Sequence, residues 1–146
     1  MPEEPKPFSE FLPELVKVGK AAGFRPGVTL CVGGTLISGE LIDGAEYFNE
    51  LVTETAAVPS ESLSPQAAAQ LTTLFQQFAA RYTRPPADSV PAQGSESEHI
   101  HLRNARIRLL DGNDLLAGPK GLWRVRLTAV DAATLGLLPV AQQRRS

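Results

Sequence analysis

Two adjacent glycines, Gly33-Gly34, separate two runs of strand-forming residues, and no other feature constrains the fold as tightly. Before them Val28, Leu30 and Val32 alternate with Thr29 and Cys31, and after them Thr35 to Ile42 is again β-prone. A two-residue connection of this kind needs positive φ at both central positions, which glycine supplies without steric cost, so the segment predicts a tight antiparallel hairpin. Gly39, inside the second run, predicts a bulge or a close backbone approach.

Helical patterns flank this hairpin. Phe8, Phe11, Leu12, Leu15 and Val18 or Gly19 follow three-and-four spacing, which predicts a helix over about 9–22 ended by Gly23. Pro13 is then expected in or near the first turn, because a proline deeper in a helix costs roughly 3 kcal/mol. Asp43 with Glu46 three residues later forms a capping box for a second helix, whose buried stripe is Tyr47, Phe48, Leu51 and Val52. Glu46, Glu50 and Glu54 fall four apart and form an acidic ridge on that helix. Ser64-Pro65 opens a third helix with apolar face Leu71, Leu74, Phe75, Phe78 and Tyr82.

Residues 85–97, PPADSVPAQGSES, have three prolines and no periodicity, and are expected to be a mobile connector, as 1–7 and 139–146 are expected to be flexible tails. The last third reads as β. One strand runs from His99 to Leu110 and its partner from Leu122 to Val130. Ile100 and Leu102 have one parity, Ala105, Ile107 and Leu109 the other, so a bulge near Arg103-Asn104 is needed to bring all five to one face. Trp123, Val125, Leu127 and Ala129 are expected to complete that buried face, and Trp123→Ala to cost about 3–5 kcal/mol. The opposite, polar face collects His99, His101, Arg106, Arg108, Arg124 and Arg126. The expected fold is a single α+β domain over 1–146: two hairpins in an antiparallel sheet or partly open small barrel, packed with three helices.

Charge divides the chain. Residues 1–98 carry six basic and thirteen acidic side chains, residues 99–146 eight basic and three acidic. The four arginines predict a cationic surface suited to an acidic protein face. The Glu46/Glu50/Glu54 ridge is a candidate for that face, within one chain or between two. No aromatic is interleaved among the arginines, so nucleic acid lacks a stacking platform.

Enzymatic chemistry finds little support in the residues. His99-x-His101 could turn two imidazoles to one side of a strand, but a third ligand would have to come from Glu96, Glu98 or Cys31. The neighbouring cations disfavour a dication there, so no metal or other cofactor is expected. Cys31 lies in a strand rather than at a helix N-terminus, and reads as a small part-buried hydrophobe. Gly33-Gly34 is followed by neither Lys-Ser/Thr nor a helix, so it is not a phosphate loop. A single cysteine, no apolar run of about 20 residues and an acidic start, MPEEPKP, without a signal-peptide pattern lead to a cytoplasmic protein as the expectation.

Three blocks, Gly27-Val28-Thr29-Leu30-Cys31-Val32-Gly33-Gly34-Thr35-Leu36-Ile37-Ser38-Gly39 with Tyr47-Phe48, His99 to Ile107, and Leu122 to Asp131 with Leu135-Gly136, resemble in order and spacing the gas-vesicle accessory protein GvpU family. The resemblance implies a bacterial accessory or assembly protein, without known catalysis, whose partners are gas-vesicle components or further copies of itself. A fainter similarity, in the helix before Val28-x-Leu30-x-Val32 and the positions of Gly34, Gly39 and Leu41, is to Sm-like barrels. It implies RNA binding as the alternative, but two helices intervene where the second motif belongs and its Arg-Gly signature is absent. A small metal protein or enzyme using His99 and His101 is the remaining alternative.

Overall fold

The computed structural model describes residues 7–83, 99–116 and 120–138. Connector 85–97, tail 139–146 and all but the last residue of tail 1–7 lie outside that range. Three helices and six strands follow one another as α1 (Pro7–Ala22), β1 (Gly27–Val32), β2 (Thr35–Ile42), α2 (Gly44–Ala57), α3 (Pro65–Thr83), β3 (His99–Arg108), β4 (Asp114–Leu116), β5 (Trp123–Arg126) and β6 (Ala132–Leu135). The strands form one open antiparallel sheet in the order β4-β3-β2-β1-β6, with β5 beside β3. Of the two expected forms, sheet or partly open barrel, the open sheet is the one present.

The β1–β2 hairpin turns on Gly33 and Gly34 at φ 57° and 84°, as the glycine pair predicts. A shift in the β2–β3 register between Ser38 and Glu40, two steps on β2 against three on β3, marks a bulge on β3 opposite Gly39, so Gly39 is the close backbone approach of the two expected alternatives. A Cβ on Gly39 would lie 3.2 Å from both the Ala105 Cα and the Arg103 carbonyl. On β3 the irregularity is Asn104, at φ 55°. It reverses the strand's parity, so Ile100, Leu102, Ala105 and Ile107 are all buried on one face and Leu109 packs against the same cluster.

That face carries the main core: Val28 and Leu30 from β1, Ile37 and Leu41 from β2, the β3 residues, Val125 and Leu127, closed by Leu12 of α1. Helix α1 starts two residues before the expected position, which places Pro13 inside it rather than in its first turn. Its inward face also differs from the expected one. Leu12 and Gly19 are buried and Leu15 and Val16 pack on the core, whereas Phe11 and Val18 are exposed. Gly19 fixes this choice, since a Cβ there would lie 2.7 Å from the Phe24 carbonyl and from the Pro26 ring.

The last third corrects the expected single long hairpin. β5 pairs only with the first half of β3, from His99 to Leu102, and β4, not expected, pairs with Arg106 to Arg108. After Arg126 the chain leaves the strand in a 3₁₀ turn, Leu127–Ala129, and then forms β6 against β1. Val125 and Leu127 are buried as expected, but Ala129 is exposed and Trp123 is 37% exposed. The 3₁₀ turn breaks the alternation that would have buried Ala129. Trp123 stands across from Leu102, outside the main cluster.

Candidate functional site

On the second face of the sheet, β3 carries His99, His101, Arg103, Arg106 and Arg108, because the bulge at Asn104 restores the lost parity. Their neighbours on β5 are Arg126, across from His99, and Arg124, across from His101. This is the polar face read from the sequence, but half of it is not an outer surface. The α2–α3 hairpin lies over its β5 end.

His101 is only 2% exposed there. Its ring sits 4.7 Å from Tyr47, 5.3 Å from Tyr82 and 5.9 Å from Phe48, centroid to centroid. The Arg124 Nε donates to His101 Nε2 at 3.2 Å, and the same guanidinium reaches the Tyr82 hydroxyl and lies over the Phe48 ring. Burial, then the charge on Arg124, then His99, push the His101 pKa down to about 3, against a weaker opposing pull from Asp43. His101 is therefore neutral at ordinary pH, with the Nε2 lone pair engaged by an arginine. That is a structural role for a residue expected on a polar surface.

Helix α2 reaches this position because Asp43 caps it, its Oδ1 accepting from the Glu46 N–H at 2.8 Å. Ser64 does the same for α3, accepting from the Ala67 N–H at 3.1 Å. Within the hairpin Phe48 stacks on Phe78 at 5.2 Å, and Ala79 is buried where Leu74, expected on the apolar face, is exposed. A Cβ on Gly44 would fall 2.4 Å from the Tyr82 ring. Gly44→Ala is therefore expected to displace the end of α3 and cost about 1–3 kcal/mol, as overpacking of tight contacts does. A thermal melt monitored by circular dichroism checks it.

The acidic ridge is engaged within the chain. Glu46 accepts from Arg25 Nε at 2.7 Å and lies 3.8 Å from Arg103. Glu50 accepts from Lys120 at 2.8 Å. Glu54 has no ion pair among the described residues. None of these cations is among the four arginines singled out by the sequence. The ridge's partners come from the loop before β1, from the bulge on β3 and from the turn before β5. Only the tertiary register brings those positions under α2, so local patterns could not have named Arg25, Arg103 or Lys120. Arg103 and Asn104 also both donate to Glu40 Oε1 at 3.0 Å, which clamps the bulge against β2.

The four arginines share one face without forming one open patch. Arg124 is beneath the helices, and Arg108 donates to Asp114 Oδ1 at 2.9 Å. Arg106, half-buried, and Arg126, exposed, make no ion pair among the described residues. They are about 20 Å apart along β3 at the usual strand rise. The open part of the face between β1 and β2 is crossed by the segment after β6. The Thr29 hydroxyl donates to the Gly136 carbonyl at 2.8 Å, and the Leu138 N–H donates to the Ser38 hydroxyl at 2.8 Å.

A cleft of about 150 Å³ opens between α1, the start of α2 and the start of β3, and Lys17, Asp43, Tyr82, His99 and His101 line its polar side. Asp43 is committed there twice, to the cap of α2 and to Lys20 at 3.0 Å. No group of three histidine, cysteine or acidic side chains among the described residues is placed to hold a metal ion. Cys31 is half-buried on β1, across from Leu36. No helix among the described residues is long and apolar enough to cross a membrane.

Comparison with characterised proteins and with solved structures gives no match. Comparison with protein families matches the gas vesicle protein GvpU-like family over residues 9–138, the stretch that contains all but the first two residues of α1, both other helices and every strand of the sheet. With only eight residues at either end outside the match, the chain belongs to the GvpU-like gas vesicle protein family.

Proposed function

We infer that this chain is a non-enzymatic accessory protein of gas vesicles, acting in the cytoplasm through contacts with an acidic protein surface. Membership of the family carries the gas-vesicle assignment. The observation that favours a contact role is the distribution of charge. The acidic ridge is largely neutralised by Arg25, Arg103 and Lys120, whereas Arg106 and Arg126 keep cations without an ion-pair partner among the described residues. Two separate cations left over after internal pairing suit an anionic partner, and no aromatic is interleaved among the arginines in sequence, which favours protein over nucleic acid. The polar groups that could have formed a reactive centre have structural occupations: His101 with Arg124, and Asp43 with α2 and Lys20.

Purified gas vesicles float, so co-flotation measures attachment directly. The protein is expected to rise with the vesicles at low salt and to stay behind at high salt, because exposed charges are screened within about 8 Å at physiological ionic strength. Arg106→Glu with Arg126→Glu is expected to abolish co-flotation while leaving the thermal melt unchanged. Arg124 is left intact because it supports His101. Co-flotation that ignores both salt and the double variant would overturn the reading. So would tight binding of random RNA in a filter assay by a chain that does not co-float.

A further inference from the structure

Among the described residues β6 is the last strand on its side of the sheet, and its inner side is bonded to β1 with Val28 across from Leu135 and Cys31 across from Ala132. The Gly136 N–H donates to the Gly27 carbonyl at 2.8 Å. Hydrogen bonding alternates along an antiparallel pair, so Thr134 also turns its backbone groups inward. The N–H and C=O of Ala133 and Leu135 therefore face away from the sheet. No described residue meets them there.

Among the described residues this edge lacks the usual protection. Residues 132–138, AATLGLL, contain no charge and no proline, Ala132, Thr134 and Leu135 are exposed, and the strand has no bulge within it. The chain's own following segment leads away from it, since Leu138 is already bonded to Ser38 on β2, beyond β1.

The geometry points to a second copy of this chain as the partner of β6, in a two-fold symmetric antiparallel pair centred on Thr134. The outward groups lie at 133 and 135, symmetric about 134. In a two-fold pair, Ala133 of one copy therefore meets residue 135 of the other and both exchange their two bonds, giving four in all with no shift of register. Leu135 then packs beside a small alanine, and the two Thr134 side chains face each other as a threonine pair. Neither copy brings a charge to the contact, although the chain as a whole is negative. The area is small. Four strand residues with Leu135 and Leu137, 60% and 55% exposed, fall short of the roughly 1,200 Å² of a stable interface, so the pairing is concentration-dependent and the sheets of two copies join only when copies are crowded together. This inference does not rest on the basic face or on its partner.

Sedimentation of the full chain against concentration is the first readout. A monomer–dimer equilibrium insensitive to salt is expected. Ala133→Pro removes an outward N–H from each copy and leaves the bonds to β1, so it should weaken dimerisation about tenfold with an unchanged circular dichroism melt. Arg106→Glu should leave dimerisation unaltered. The second readout fixes the register. In a Cys31→Ser background, Thr134→Cys should give a covalent dimer on oxidation, because facing residues of a non-hydrogen-bonded pair have Cα atoms about 4.5 Å apart, within disulfide reach. Ala132→Cys should not. A chain that stays monomeric to about 1 mM, an Ala133→Pro variant that dimerises like the parent, or equal cross-linking from positions 132 and 134 would each overturn the proposal.

Discussion

Acidification below pH 6.5 is expected to destabilise the fold by about 1.4 kcal/mol for each pH unit through His101 alone. The folded protein holds this imidazole at about 3, whereas an unperturbed histidine titrates at 6.5. Between those values the unfolded chain binds a proton that the folded chain refuses. The stabilisation is therefore complete above pH 6.5 and is lost progressively as the pH falls toward 3. The groups facing the ring set the sign: Arg124 on β5 and His99 on β3 repel the imidazolium, Asp43 attracts it, and Tyr47, Phe48 and Tyr82 exclude water. Urea titrations from pH 7 to pH 4 on the parent and on His101→Gln isolate the effect. Gln keeps an acceptor for Arg124 and does not titrate, and the carboxylates act alike in both proteins. The difference between the two curves should slope with pH. A flat difference would place His101 in water.

The second large effect is Leu102→Ala, expected to cost about 2–5 kcal/mol. Leu102 is fully buried, facing Leu41 on one side and Trp123 on the other. Trp123→Ala, expected from sequence to cost about 3–5 kcal/mol, should instead cost about 1 kcal/mol, because a ring 37% exposed outside the main cluster leaves less cavity behind. Urea midpoints at constant slope rank the two variants directly. The reverse ranking would mean that the indole is the anchor of β5.

Features set by neighbours in sequence were legible, and those set by distant contacts were not. Gly33-Gly34 specifies its turn because φ is a local property, and Asp43 and Ser64 specify caps because their acceptors bond three residues away. The bulge at Asn104 was legible for a less local reason. A parity change between Leu102 and Ala105 cannot be reconciled with one buried face in any other way. β6 is not legible because Ala132 to Leu135 show no alternation. They are a strand because β1 offers them bonds about a hundred residues away in sequence. The exposure of Trp123 is not legible because residue type suggests burial, whereas the 3₁₀ turn at Leu127 and the shortness of β5 decide it. The candidate site was legible as a list of arginines and glutamates but not as a set of pairs. The pattern contains both charges of each bridge, but the register that matches Glu50 with Lys120 is a tertiary fact.

The pairing of β1 with β6 also bears on the order in which the molecule can be made. The first hairpin is complete by residue 42, yet one of its two edges finds its internal partner only when residues 132–135 exist. A nascent chain must therefore carry an apolar ribbon, open at β1, through the synthesis of both later helices and three further strands. Contacts of such long sequence separation form late and slow the search for the native state. Until they form, the bare margin of β1 is the part of the chain most exposed to mispairing or to capture by a chaperone. Removing the last strand should consequently harm recovery of folded protein during expression more than its four residues of contact suggest, since it closes the margin that has been open longest.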